Sequence, residues 1–313
     1  MQIMRGRFAP SPTGEIHLGN VWTALLAWLQ VRSAGGVMVL RIEDLDPERS
    51  RPAYVEQMMA DMHWLGLDWD EGPDVGGPYG PYRQDGRRAM YQAALERLAA
   101  GDLIYPCYCT RAELAASAPH AGDNERRYAG TCRKRQADTV RQAARKPALR
   151  LAVPPGVISF KDLHAGYICQ ELATEVGDFV VRRSDGVHAY QLAVVVDDAA
   201  MNITHVLRGD DLLSSTPRQL LLYRLLGLPA PVFSHVPLLV DTAGCRLSKR
   251  QQALSVAALR SDGIRAEAIV GYLGFKAGLL AEYRPVKAGE LIHCFNIDKI
   301  PQGQIVIDEQ LPV

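Results

Sequence analysis

The chain of 313 residues lacks a net charge, its 35 lysines and arginines balancing 35 aspartates and glutamates. Bulk electrostatics therefore neither favours nor forbids a polyanionic partner. Long apolar runs are missing, and the opening MQIMRGRFAPSP has no apolar core. Neither a membrane span nor a secretory leader is expected, so we expect a cytoplasmic protein with no membrane partner. Internal repeats, low-complexity tracts and heptads are absent, which excludes solenoids and coiled coils. Cysteine is sparse, with 6 in the whole chain, and in a long cytosolic protein that does not suggest a disulfide framework. What is present is 48% hydrophobic and 22% charged content, enough for one large domain or two smaller ones, which excludes disorder for most of the chain.

Charge is nevertheless segregated. Between Glu43 and Asp74 there are ten acidic residues and two basic ones, whereas between Glu125 and Arg150 there are nine basic and two acidic. Such blocks form solvated faces or, for the basic one, a patch for a polyanion.

Arg5 to Ala9 reads as a strand, and Pro10-Ser11-Pro12-Thr13-Gly14 as the turn that leaves it. Leu18, Val21, Trp22, Leu25, Leu26 and Leu29 recur at helical spacing until Gly35-Gly36 stops the pattern, and Val37 to Ile42 is a β-rich buried run. Strand, helix and strand in this order predict a βαβ unit and a parallel sheet with a ligand site at the carboxyl ends of its strands. Helices are predicted over Tyr54 to Leu65 and Arg88 to Leu98, separated by a Gly/Pro-rich loop from Gly72 to Pro81. From Ile104 to about Arg183 short β-like runs, a cysteine segment and the basic block suggest an insertion. Val187 to Val196, Ile203 to Leu207, a helix over Pro217 to Leu226 and a strand over His235 to Val240 restore the α/β alternation. We therefore divide the chain into 1–103 and 187–250 as halves of one α/β domain, 104–186 as an insertion, and 251–313 as a short helical segment that includes Ile264 to Gly274.

Two motifs carry chemistry. The strand, turn and helix around Ile16-His17-Leu18-Gly19 set His17 and backbone N–H groups at a helix N-terminus, where phosphate is stabilised, and Gly14 and Gly19 would let a nucleotide lie against the backbone. After the Val240-Asp241-Thr242-Ala243-Gly244 turn, Cys245-Arg246-Leu247-Ser248-Lys249-Arg250 brings cations suited to pyrophosphate.

These residues resemble the class I aminoacyl-tRNA synthetases: Ile16-His17-Leu18-Gly19 is similar to the HIGH signature, with Asn20 where its second histidine would stand, and Arg246-Leu247-Ser248-Lys249-Arg250 to the KMSKS loop. Arg7-Phe8-Ala9-Pro10-Ser11-Pro12-Thr13-Gly14 resembles the opening of glutamyl-tRNA synthetases, and Arg41-Ile42-Glu43-Asp44-Leu45-Asp46 and Leu207-Arg208-Gly209-Asp210-Asp211 extend the match over residues 5 to 250. Only 63 residues follow Arg250, too few for the helical anticodon-binding half of that family. The chain is thus similar to the stand-alone paralogues, the glutamyl-queuosine tRNA(Asp) synthetases.

The resemblance implies a Rossmann-type catalytic domain with a zinc-containing insertion. It also implies tRNA-independent, ATP-dependent activation of L-glutamate and its transfer to the queuosine base in the anticodon of tRNA(Asp). A carboxylate that attacks the α-phosphate is already anionic, so positioning and charge stabilisation with Mg²⁺ suffice. His17, Gly19 and Lys249 are then the ATP-site residues, His17 and Lys249 the catalytic pair. Glutamate brings two carboxylates and one ammonium. It is assigned to Arg7, Phe8, Ala9, Pro10, Ser11, Glu43, Tyr190 and Arg208, with arginine forks for the carboxylates and Glu43 for the ammonium. Cys107, Cys109 and Cys132 offer three thiolates where tetrahedral zinc wants four ligands. The residues alone leave His120, water or simple free cysteines open, while the family pattern of Cys-x-Cys with Tyr-x-x-x-Cys supplies Tyr128. Such a closed site would be structural. Cys169, Cys245 and Cys294 are expected to be half-buried bystanders. Arg126 to Arg150 is the candidate RNA-phosphate contact, and Asp211, Ser214, Thr216 and Arg218 are candidates near the nucleotide. A monomer is expected. The competing readings are a truncated synthetase charging a tRNA 3′ end, a non-catalytic RNA-binding module, and a small-metabolite nucleotidyltransferase.

Overall fold

A computed structural model describes residues 3–110, 113–114, 127–134, 145–247 and 254–307. Its centre is the βαβ unit. Strand β1 (Arg5–Phe8) pairs in parallel with β2 (Val37–Leu40), and the connection is helix α1 (Leu18–Ser33). The helix begins because His17 and Asn20 cap it reciprocally: the His17 ring accepts from Gly19 N at 3.1 Å, and Asn20 Oδ1 accepts from His17 N at 3.1 Å. It ends because Gly35 adopts φ +61° and Gly36 N returns to Val31 O at 2.9 Å, a left-handed turn that glycine makes without a Cβ penalty. Nearly every side chain of α1 from Leu18 to Val31 is buried, so the helix is a central pillar rather than an amphipathic surface element.

The acidic block supplies α2 (Pro52–Trp64), and α3 (Arg88–Ala100) leads into the segment expected to be an insertion. There β3 (Ile104–Cys107), β4 (Ala148–Leu151) and β7 (Phe179–Arg182) form an antiparallel sheet, while β5 (Ile158–Asp162) and β6 (Gly166–Gln170) form a hairpin. Helix α4 (Tyr190–Ala200) returns the chain to the second parallel pair, β8 (His205–Gly209) with β9 (Val232–Val236), bridged by α5 (Thr216–Leu225). The two pairs meet at Thr204, whose N–H donates to Arg5 O at 2.9 Å and whose hydroxyl accepts from Arg5 N at 2.9 Å. The strand ends carrying Arg7 and Arg208 thereby become neighbours across the seam.

Three expectations are corrected. The run from His235 to Val240 is two strands, β9 and β10 (Leu239–Val240), because Pro237 has no N–H and its carbonyl accepts from the Trp22 indole at 2.8 Å. The last segment is more than helices: after α6 (Val256–Ser261) and α7 (Ala266–Lys276) the chain returns as β11 (Ile305–Val306), parallel to β10. Cys169 and Cys245 are exposed rather than half-buried.

Gly6 sits where α1 crosses β1, and a Cβ there would collide with Val31 Cγ2. Gly6→Ala should destabilise the protein by about 1–3 kcal/mol through overpacking. Urea unfolding measures this, and an unchanged midpoint would show that α1 shifts freely on the sheet.

Candidate active site

A cavity of about 450 Å³ opens over the carboxyl ends of β1 and β8. Its wall contains Arg7, Phe8, Ala9, Pro10 and Ser11 from β1 and the turn after it, and His17 and Gly19 at the start of α1. Glu43 beyond β2, Tyr190 at the start of α4 and Arg208 on β8 complete the set. All the residues that the sequence assigns to glutamate, and two of the three assigned to ATP, therefore share one space. The third, Lys249, lies outside the described residues together with Ser248 and Arg250.

Backbone bonding sets these positions. Arg41 N donates to Phe8 O at 3.0 Å and Glu43 N to Pro10 O at 2.9 Å, so the segment after β2 runs alongside the proline-rich turn and delivers Glu43 to the cavity. Val256 N donates to Ile16 O at 3.0 Å, which props the last segment against the signature. A Cβ on Gly19 would lie 2.9 Å from the His17 ring. The immediate role of this glycine is therefore to seat His17.

The charges fall into two kinds. Arg41 is fully buried and surrounded by carboxylates, at 2.6 Å from Asp198, 3.0 Å from Glu43 and 3.7 Å from Asp197. Asp198 also lies 3.5 Å from Arg7 Nε. Burial alone would raise the Asp198 pKa, but Arg41 and Arg7 overcome it and hold the carboxyl below its ordinary value. For Glu43 burial wins, and its pKa is raised despite Arg41 and Arg7.

Arg208 has a different environment. Its Nε donates to His235 at 2.9 Å, and one terminal nitrogen donates to Thr216 at 2.8 Å and Gln219 at 2.7 Å. Its other terminal nitrogen reaches, among the described residues, only the Tyr190 hydroxyl, at 3.4 Å. Among the described residues no carboxylate pairs with it, and burial lowers its pKa from the ordinary value. Arg7 likewise donates no hydrogen bond among the described residues. Two cations and one partly buried carboxylate facing the same space suit a ligand with two anionic ends and one cationic group.

Sequence reasoning missed Asp197 and Asp198, which look like the polar end of an ordinary helix, and missed His235 and Asp162 behind Arg208. Paired aspartates in an otherwise apolar helix, Leu192 to Val196 being buried, were the available signal. Thr216 is fully buried as an acceptor for Arg208 and does not line the cavity. Ser214 is exposed, and Arg218 donates to Ser215 at 3.3 Å. Asp211 lines the cavity and pairs with Arg246 at 2.8 Å.

In the insertion, Cys107, Cys109 and Cys132 place their sulfurs within 4.8 Å of one another. The Tyr128 hydroxyl lies 3.5 Å from Cys107 and 3.7 Å from Cys109, and it accepts from Cys132 N at 2.8 Å. Zinc–sulfur bonds of about 2.3 Å in a tetrahedron put sulfurs about 3.8 Å apart, and Cys109 and Cys132 are 3.4 Å apart. The donor set therefore fits a thiophilic metal. His120 and, within the basic stretch, residues 126 and 135–144 lie outside the described residues. Two members of that stretch serve the insertion itself: Arg150 is buried, donating to Asp178 O at 2.8 Å above the Tyr128 ring, and Arg133 pairs with Asp178 at 3.2 Å.

Asp198→Asn removes the charge that Arg41 and Arg7 share while preserving the side chain's shape. Loss of one partner of a buried ionic cluster costs about 3–5 kcal/mol, so urea unfolding should show a large drop. A change within experimental error would mean that the two arginines are compensated elsewhere.

Residues 3–307 match the family described as tRNA synthetases class I (E and Q), catalytic domain. The chain is 54% identical to the "Glutamyl-Q tRNA(Asp) synthetase" of Symbiobacterium thermophilum over 309 residues, covering 96% of this chain and 95% of that protein. It is 51% identical to the protein of the same name from Nitratidesulfovibrio vulgaris, covering 97% and 95% respectively. The crystal structure of a glutamate-tRNA synthetase from Elizabethkingia anophelis superposes with a TM-score of 0.84 at 31% identity, covering 98% of this chain and 68% of that one. The chain therefore belongs to the class I tRNA synthetases of the E and Q group and is a ligase of that family.

Proposed function

We propose that the protein activates L-glutamate with ATP, without needing RNA for that step, and transfers it to the queuosine base in the anticodon of tRNA(Asp). The observation that carries the glutamate reading is the pairing of Arg7 and Arg208, neither with a hydrogen-bonded carboxylate among the described residues, with partly buried Glu43 in one cavity. Glutamine would leave one cation without a partner in a buried site, a heavier penalty than the loss of an apolar contact. The names of the two relatives above support the acceptor.

In this reading Arg7 and Arg208 hold the two carboxylates, Glu43 the ammonium, and Tyr190 lies beside the Arg208 end. A glutamate carboxylate oxygen forms a bond to the α-phosphorus of ATP while the bond from that phosphorus to the pyrophosphate oxygen breaks. His17, at the positive end of α1, stands beside the phosphates with the Gly19 backbone, and Lys249 receives the departing pyrophosphate. Mg²⁺ bound with the nucleotide supplies further charge neutralisation. Cys107, Cys109, Cys132 and Tyr128 hold one structural zinc ion in the insertion, and the division at 103/104, 186/187 and 250/251 stands as part of the same reading.

Labelled glutamate incubated with ATP, Mg²⁺ and tRNA(Asp), with and without queuosine, followed by nuclease mapping, tests the acceptor. Label should appear in the anticodon fragment and require queuosine. Label at the 3′ terminus would instead establish a charging enzyme, as the likeness to the glutamate-tRNA synthetase structure allows.

Metal analysis of purified protein should find about one zinc per chain, bound by a four-ligand closed site. Cys109→Ser together with Cys132→Ser should abolish it and lower the thermal midpoint, while leaving ATP binding in place. Wild-type protein free of zinc would refute the ligand set.

A further inference from the structure

We infer that Asp162 and His235 form a positioning relay that fixes the hydrogen-bonding polarity of Arg208, so that this guanidinium is oriented by a neutral acceptor and keeps its charge for the ligand. The inference rests on the reading of Arg208 as a carboxylate-binding residue and goes one layer behind it.

A guanidinium only donates, so the His235 nitrogen that meets Arg208 Nε at 2.9 Å, Nε2, must be the lone-pair nitrogen. The proton of the neutral ring then sits on Nδ1, which faces Asp162 Oδ2 at 2.6 Å. Asp162 is itself held rigidly: its other oxygen, Oδ1, accepts from the backbone N–H groups of His164 at 2.9 Å, Ala165 at 2.8 Å and His235 at 3.0 Å. Both Asp162 and His235 are about 1% exposed, and neither lines the cavity.

The arrangement does what a direct carboxylate could not. A carboxylate against Arg208 would fix the side chain but neutralise it toward an anionic ligand. An imidazole lone pair fixes it and places the compensating charge of Asp162 one ring further away. The charged groups that face His235 are Asp162 from β5, Arg208 from β8 and Arg7 from β1, while Thr216 and Gln219 on α5 add only neutral acceptors around the same guanidinium. Burial among these groups lowers the His235 pKa. The ring therefore stays neutral at physiological pH. A second proton would set an N–H against the Nε–H of Arg208.

Asp162→Asn separates this role from simple packing. The amide oxygen can keep the three backbone bonds, but the amide nitrogen donates to Nδ1 and so forces the ring proton onto Nε2, facing Arg208. The test combines nitrogen-15 histidine NMR with glutamate-dependent ATP–pyrophosphate exchange. In the wild-type protein the His235 signal, identified by its loss in His235→Gln, should show a protonated Nδ1 and an unprotonated Nε2. Asp162→Asn should reverse that pattern and raise the KM for glutamate at least about tenfold, the equivalent of one hydrogen bond to a charged group. The KM for ATP should stay within about twofold, well under that difference. His235→Gln, whose amide oxygen can accept in place of Nε2, should retain more glutamate affinity than His235→Leu. The wild-type KM for glutamate should rise as pH falls below the ordinary histidine range of about 6.5.

A wild-type proton on Nε2, an unchanged glutamate KM in Asp162→Asn, or an equal loss for ATP and glutamate would overturn the relay. If Asp162→Asn fails to fold, the wild-type spectrum and the Gln/Leu comparison decide alone. Wild-type protein with the expected tautomer but no response to glutamate would overturn the substrate reading and leave the relay standing.

Discussion

The candidate active site depends on how Asp198 is shared. Arg7 and Arg41 are both almost wholly buried, and a buried cation without a nearby anion carries a desolvation penalty of several kcal/mol. A single carboxylate lies at 2.6 Å from one guanidinium and 3.5 Å from the other, so it anchors Arg41 tightly and Arg7 loosely. Arg41 in turn holds Glu43 at 3.0 Å. Position and charge of both the cation and the anion offered to the cavity thus trace to one aspartate in the last turn of α4. That aspartate can reach them only because the Thr204 seam brings the two halves of the sheet together.

Buried arginines need not have one job, and their partners tell them apart. Arg41 is saturated with carboxylates and has no charge left for a ligand. Arg87 is likewise committed within the protein, bonded to one carboxylate, Asp197, at 2.5 Å and to the carbonyls of Tyr79 and Pro81. Arg208 is bonded almost as fully, but its partners, His235, Thr216, Gln219 and Tyr190, carry no formal charge as long as the imidazole is neutral. Neutral acceptors immobilise a guanidinium without cancelling its field, so geometry is preorganised and the attraction for an incoming carboxylate is preserved.

How much of this could be read from the sequence follows from chain distance. The βαβ unit, the His17 cap and the Gly35-Gly36 stop are local: helical spacing, cap residues and glycine lie within a few turns of one another. That Arg7, Glu43, Tyr190 and Arg208 would share one cavity was legible because each stands in or beside a recognisable segment at a strand or helix end. Asp198 and Asp162 were not. Asp198 touches Arg41 across 157 positions, and Asp162 touches His235 across 73, from a hairpin in what the sequence presents as a separate insertion. No periodicity or composition encodes which insertion loop folds back onto which core strand. The basic block shows the opposite error, since charge counting cannot see that Arg150 is used internally to stack on Tyr128 and to satisfy Asp178.

The insertion therefore does two physically separate things. Near Cys107 and Cys132 it is held by side chains around Tyr128, which a metal ion would knit together. At the β5–β6 hairpin it needs no such staple, because Leu163 N donates to Phe233 O at 2.9 Å, His164 reaches Ile300 O at 3.1 Å, and Asp162 collects three backbone N–H groups. These bonds tie the hairpin to β9 and to the last segment directly. Loosening the cysteine cluster would thus leave Arg208 oriented. A change at the hairpin tip would reach the pocket through two hydrogen bonds, with no movement of the sheet.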